Sequence, residues 1–149
     1  MILNLKIQGL ENISVLPEKA KKAAKKAIKA AGKEYYKQIH NDIDTGKSFT
    51  PRTGNLQQSI TLRFENYSAI IGTDKEYAPF VELGSSPHKI RPKRVNFLKI
   101  PYNDGYFFVK EVSHPGSRAY PFMFLNKDKR IKQATDKAWE VFKQELKNG

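Results

Sequence analysis

Cysteine is missing from the 149-residue chain, and with it go thiolate catalysis, iron–sulfur clusters, Cys-based zinc sites and a disulfide-stapled secreted scaffold. No apolar run approaches the roughly 20 residues that a membrane-spanning helix needs. Residues 1–10 alternate with polar side chains instead of forming the core of a signal peptide. These absences predict a soluble, unprocessed protein. Acidic residues are also scarce, 15 Asp and Glu against 27 Lys and Arg, for a net charge of +12. A field of that size favours a polyanionic neighbour, either nucleic acid or an acidic protein surface, without naming one. Lysine supplies 21 of the 27 cations and arginine 6. That ratio fits diffuse phosphate attraction better than bidentate base reading, and a lysine-rich coding bias would produce it equally well. Against these shortages stand 39% hydrophobic and 11% aromatic residues. A chain of this length buries roughly two-thirds of its unfolded surface, so one domain with a real core is expected.

Residues 2–8 alternate Ile2, Leu5 and Ile7 with polar neighbours, apart from the extra Leu3, which predicts a half-buried first strand ended by Gly9. From Pro17 the period changes, and a long helix is predicted over about residues 17–41. At about 100° per residue, Leu16, Ala20, Ala23, Ala24, Ala27, Ile28, Ala30, Ala31 and Tyr35 share one half of the wheel. Lys19, Lys21, Lys22, Lys25, Lys26, Lys29, Lys33 and Lys37 share the other, and with Glu18 and Glu34 subtracted this segment carries +6 of the +12. The alanine face permits close approach to a sheet or helix. The lysine stripe reads as a solvated face, or else as a contact for nucleic acid or an acidic protein; its alanine-rich opposite face argues against a membrane-surface helix.

Residues 42–54 read as a loop. A hairpin is expected over about residues 58–72, turning at Asn66-Tyr67, and a second over about 97–112, turning at Asp104-Gly105. Residues 77–83 are ambiguous between a helical turn and a strand. Residues 85–96, rich in basic side chains with little to bury, read as an exposed basic loop. A C-terminal helix is expected over about 122–147. It places Ile131, Ala134, Ala138, Trp139, Val141, Phe142 and Leu146 on one face. The predicted fold class is therefore α+β. It is a single domain over residues 1–149, in which the long N-terminal and C-terminal helices pack on one antiparallel sheet of about four or five strands.

Chemistry is hard to place on this chain. His40, His88 and His114 are scattered without metal-ligand spacing, so no metal and no cofactor is expected. Thr45-Gly46-Lys47-Ser48 echoes only the tail of a phosphate-binding loop. Ser117 follows Gly116 but lacks the surroundings of a nucleophile elbow. Nothing in the sequence gathers Glu82, His88, His114 and Arg118 into an acid–base site, and no catalytic residue is assigned. Glu82 reads instead as a partly buried carboxylate satisfied by backbone N–H groups or by a basic residue. No helix-turn-helix, zinc-finger or ribonucleoprotein pattern appears.

An ordered set of residues does stand out: Arg52-Thr-Gly54-Asn-Leu56, Ser59-Ile60, Ile71-Gly-Thr73, Tyr77-Ala78, Phe80-Val-Glu82-Leu-Gly84, then His114-Pro115-Gly116, Ala119 and Pro121-Phe122. Over about residues 52–125 this resembles the minor tail component, or neck and tail-completion (head–tail joining), family of long-tailed bacteriophages. Relatives commonly continue Pro-Phe with an apolar and then a small residue, whereas here Met123-Phe124-Leu125-Asn126 follows. The resemblance implies a non-enzymatic structural virion protein that forms a homo-oligomeric ring at the head–tail junction. Its implied partners are its own copies, the connector or head-completion protein, and the tail terminator or tail tube protein. Nonspecific contact with packaged DNA is compatible with it, no membrane is involved, and the host cytoplasm holds the protein before assembly.

Under that resemblance the signature residues make the fold. Gly54 is available for a positive φ, Tyr77, Phe80 and Val81 plug the core edge, and Glu82 offers a charge to Arg52 or to an adjacent subunit. His114-Pro115-Gly116 sets a turn that lays Pro121-Phe122 over the sheet. Function then lies on surfaces. Residues 85–96 and 47–52 are expected to act as arms on neighbouring subunits or towards the DNA passage, with Lys47, Arg52, Lys89, Arg91, Lys93 and Arg94 as candidate contacts. The alternative from a different class is a basic, nonspecific nucleic-acid-binding protein using the lysine stripe.

Overall fold

The computed structural model describes residues 1–6 and 15–148. The chain runs β1 (Ile2–Lys6), α1 (Glu18–Asp44), α2 (Asn55–Ser59), β2 (Thr61–Glu65), β3 (Ser68–Gly72), α3 (Ala78–Leu83), β4 (His88–Ile90), β5 (Leu98–Tyr102), β6 (Gly105–Val109), β7 (Val112–His114) and α4 (Lys127–Lys147). The α+β class holds, with a long helix towards each end of the chain. The single sheet does not. The strands form a three-stranded antiparallel sheet in the order β1-β3-β2 and two separate two-stranded ladders, β4-β7 and β5-β6.

The layering also differs from two helices on one sheet face. α1 is the main helical contact of the sheet, and α4 packs along α1. α1 is thus covered on two sides, which its small residues permit. A Cβ on Gly32 would collide with the Cβ of Ala69 and crowd the ring of Phe64, so α1 lies against β3 and β2 at glycine distance. Ala23, Ala24, Ala27 and Ala31 are buried together with Ile28, Tyr35, Ile39 and Ile43. Of the eight lysines, only Lys21 is partly covered and the other seven are exposed, as a solvated stripe requires.

The first hairpin is as expected. Asn66 turns it at φ 48°, and Leu62 faces Ile71 across the ladder. In β1, Leu3 and Leu5 pack on the core while Ile2 is 65% exposed. The extra Leu3 is therefore the inward residue, and the inward parity is the reverse of the one that starts at Ile2. Ile7, Gln8 and Gly9 lie outside the described residues. α1 continues through Asp42 to Asp44, past the predicted boundary. α4 begins at Lys127, five residues later than predicted, because the backbone before it is held elsewhere. Its Trp139, assigned to the inner face, is 56% exposed, since burial follows Arg130, Ala134 and Ala138.

Candidate assembly site: a buried latch and the arm it holds

The short helix α3 resolves the ambiguous segment. Tyr77, Phe80 and Leu83 point outward, exposed by 45%, 61% and 76%, while Ala78 and Glu82 turn inward. The expectation that Tyr77 and Phe80 plug the core edge is therefore corrected: on one helical turn the inward positions are already held by Ala78, Val81 and Glu82. Glu82 is 3% exposed. Its carboxylate accepts the backbone N–H groups of Phe122 (2.8 Å), Met123 (2.9 Å) and Phe124 (3.0 Å). Of the readings open for this residue, the backbone-satisfied one is correct, and pairing with Arg52 is not observed. Arg52 is exposed.

The same three-residue segment is held from its carbonyl side. Arg130, 2% exposed, donates from Nη1 to the carbonyls of Phe122 (2.7 Å) and Met123 (3.2 Å), and from Nη2 to Asp42 Oδ2 (2.6 Å). The Tyr35 hydroxyl donates to the Met123 carbonyl at 3.0 Å, and Ser48 Oγ to that of Pro121 at 2.9 Å. Burial pushes the Tyr35 phenol up, and nearby Arg130 only partly opposes this. Two buried charges of opposite sign therefore grip one stretch of peptide, the anion on its N–H groups and the cation on its carbonyls. Charged partners make such bonds about twice as strong as neutral ones. A helix beginning at residue 122 would need the Phe122 and Met123 carbonyls as acceptors for its own later N–H groups, and these are taken by Arg130 and Tyr35; Asn126, left-handed at φ 50°, makes the turn into α4.

Immediately beyond the latch, residues 85–117 leave the body as a two-stranded ribbon. Ser85 and Ser117 exchange backbone hydrogen bonds at 2.9 and 3.0 Å. β4 and β7 pair from His88↔His114 to Ile90↔Val112, and beyond the unpaired residues 91–97 a separate ladder of β5 and β6 runs from Leu98↔Val109 to Tyr102↔Gly105. These strands contact chiefly one another. Both ends of the ribbon need glycine. Gly84 (φ 74°) and Gly116 (φ 85°) are left-handed, and a Cβ on Gly116 would run into the Ser85 carbonyl. His114 closes the turn by accepting the Gly116 N–H on Nδ1 at 3.0 Å, and its ring stacks on His88 at 5.0 Å. Within the predicted basic loop, residues 88–90 are thus a strand of this ribbon, while residues 91–96 stay unpaired as expected of a loop. That strand was invisible because its partner lies more than 20 residues downstream.

The remaining signature residues support the entrance to the body. Gly54 adopts φ 74° ahead of α2, Leu56 is buried, and Ser59 Oγ lies 2.6 Å from Thr73 Oγ1. Pro121 is half-buried and Phe122 fully buried, its ring edge-on to Phe49. The candidate contact residues scatter. Lys89 and Arg91 both bind Glu111 at 2.6 Å, which holds that carboxyl below the usual range, while Lys93, Arg94 and Lys47 are exposed. Residues 47–52 do not form an arm: Ser48 is bonded to the latch and Phe49 packs edge-on against Phe122. Arg130 and Asp42 escaped the sequence reading. Their only signal was a lone arginine four residues before Ala134 on the buried line of α4.

Among the described residues no group of His, Asp and Glu could hold a metal, and no helix is long and apolar enough to cross a membrane. The chemistry gathered here is structural: charges order a backbone segment, and that segment roots a protruding ribbon. A family model described as "Bacteriophage HK97-gp10, putative tail-component" matches residues 8–84, just over half of the chain. No curated protein and no solved structure matches significantly.

Proposed function

The chain belongs to the HK97-gp10-like family of bacteriophage tail components, and on that premise we propose that it is a structural virion protein completing the head–tail junction as a ring of identical subunits. Its partners under this reading are its own copies, the connector or head-completion protein on one side and the tail terminator or tail tube protein on the other. The latch carries the reading. Signature residues from two distant stretches, Glu82-Leu-Gly84 and His114 to Phe122, converge to fix the root of an outward ribbon, and a fixed, protruding element suits assembly better than catalysis. The test is to delete the gene from the producing phage or prophage and inspect the lysate by electron microscopy. Separate full heads and tails are the expected result, and intact particles would overturn the assignment.

One observation favours a second reading. Lys19, Lys22, Lys25, Lys26, Lys29, Lys33 and Lys37 are all exposed along α1, a stripe able to neutralise phosphates without reading bases. A nonspecific nucleic-acid binder built on it would lose affinity by orders of magnitude between low and physiological salt if it made about six phosphate contacts. Weak binding that persists alongside specific incorporation into particles would instead mark DNA contact as a by-product of the charge.

A further inference from the structure

We propose that the tip of the ribbon, the β5–β6 hairpin, is where copies of this chain hold one another, each copy seating one face of its hairpin on the opposite face of the next. The inference takes the ring of the preceding reading as its premise and names the surface that builds it. In this ladder directly opposed residues share a face. Leu98, Ile100, Tyr102, Phe107 and Val109 lie on one side, with Tyr102 and Phe107 ring to ring at 6.0 Å. Pro101, Tyr106, Phe108 and Lys99 lie on the other, Lys99 Nζ sitting 3.7 Å from the centre of the Tyr106 ring. Among the described residues, neither face packs on the core of the body, although Leu98, Ile100 and Val109 are half-buried. Tyr102, Tyr106 and Phe108 remain 65%, 60% and 63% exposed. A two-stranded hairpin alone in water is at best marginally stable, so a ribbon this apolar on both sides calls for a cover.

Charge identifies the cover as a second copy. Within residues 97–109 the only charged residues are Lys99 and Asp104, so the tip is neutral, while the chain as a whole carries +12. Asp104 in the turn disfavours a phosphate backbone, and an acidic protein would find its attraction on α1 instead. Two copies of so basic a chain repel wherever their bodies approach. The β4–β7 and β5–β6 ladders together hold eight pairs, about 26 Å at ~3.3 Å per residue, about three times the ~8 Å Debye length at physiological salt. Meeting tip to tip therefore buries apolar surface while the basic bodies stay screened from one another.

The geometry also points to faces, not edges. Tyr102 and Gly105 form the pair that the two-residue turn closes, so at the next pair the Pro101 nitrogen faces the free edge of β5 and offers no donor to an added strand. Two unlike faces make a head-to-tail contact, which closes into a ring or runs on as a filament. One ribbon face is smaller than the roughly 800 Å² per partner of a standard stable interface. Each contact is therefore weak by itself, and a closed ring, in which every copy makes two, holds better than a single pair.

Sedimentation velocity on the full-length protein tests this. The wild type should assemble as concentration rises, and more readily with added NaCl. Phe107→Ser and Phe108→Ser, one on each face, should each sediment as monomers, the association weakened about tenfold or more. An equimolar mixture of the two should form one-to-one dimers, because each supplies the face that the other lacks, and that rescue also shows both variants folded. Assembly indifferent to both variants, a mixture that stays monomeric, or a wild type monomeric throughout the range would overturn the proposal. So would loss of binding to a different virion protein in the tip variants while the copies never associate. Failure here leaves the junction role standing, whereas intact particles from the gene deletion remove that role and leave the contact between copies untouched.

Discussion

The body of the protein buries Tyr35, Ile39, Ile71, Phe122 and Met123 almost completely, whereas the ribbon leaves Tyr102, Tyr106 and Phe108 more than half exposed. Both regions are rich in large apolar side chains, so composition does not separate them. What separates them is the presence of a second layer. α1 offers two packing sides, and the sheet and α4 each take one, while no second layer among the described residues covers either face of the ribbon. Stability should therefore reside in the body and association in the ribbon, with the latch as the one place where damage reaches both. Substitutions at each level can break or sharpen that contrast.

Glu82→Ala is expected to have the largest effect. It strands three backbone N–H groups in a buried setting, at a cost of about 4 kcal/mol in urea unfolding. Glu82→Gln keeps one acceptor oxygen and should recover part of the loss. Arg130→Met preserves the packing of the stem but abandons Asp42 and two carbonyls, and a cost of about 3 kcal/mol is expected in the same assay. If either variant unfolds at the wild-type denaturant concentration, the latch does not stabilise the body.

Gly116→Ala forces a side chain into a left-handed position against the Ser85 carbonyl. About 1–2 kcal/mol is expected, concentrated locally, so hydrogen exchange at Ser85 and Ser117 should accelerate while the amides of α1 keep their protection. A smaller effect belongs to pH. Burial holds the His40 imidazole below its ordinary value of 6.5, with Asp44 partly opposing. The unfolded chain then takes up the proton first. The contribution of His40 is complete above about pH 6.5 and drains away as pH falls through the window below it. His40→Gln should flatten the fall in unfolding free energy between about pH 7 and pH 5.5; an unchanged slope would assign it to other groups. Smallest of all, Phe107→Ser should shift the unfolding of the body by less than about 0.5 kcal/mol while weakening self-association about tenfold or more, and a large loss would show that the tip contributes to the core after all.

Local patterns announced much of this fold. The segregation of lysine from alanine placed α1, and the period-two alternation with Asn66 placed β2 and β3. What stayed hidden depends on distance along the chain. Residues 122–126 look helical by composition, yet the amides of Phe122, Met123 and Phe124 bind Glu82, some 40 residues earlier, and the carbonyls of Phe122 and Met123 bind Arg130. Tyr77 and Phe80 look like core because apolar residues usually are, but Ala78 and Glu82 occupy the inward side of that turn. Residues 85–96 carry nothing to bury, so the pairing of residues 88–90 left no periodic trace. Arg130 is a single cation in a basic helix, and only the fold reveals that it is the one turned inward. The signature set was readable in order, while the contact that unites its two halves was not.

The ribbon leaves and re-enters the body at Ser85 and Ser117, whose backbones are hydrogen-bonded to each other. Thirty-odd residues of chain are therefore spliced between two adjacent points, and a short turn would bridge the gap just as well. Loop-closure entropy grows only logarithmically with length, about 0.6 kcal/mol per doubling. The reach and facing of the ribbon can accordingly be rewritten with little consequence for the fold beneath it. In this sense the protein is an exchangeable attachment on a constant socket, free to follow a changing mating surface while Glu82, Gly84, Gly116 and Arg130 keep the fitting the same.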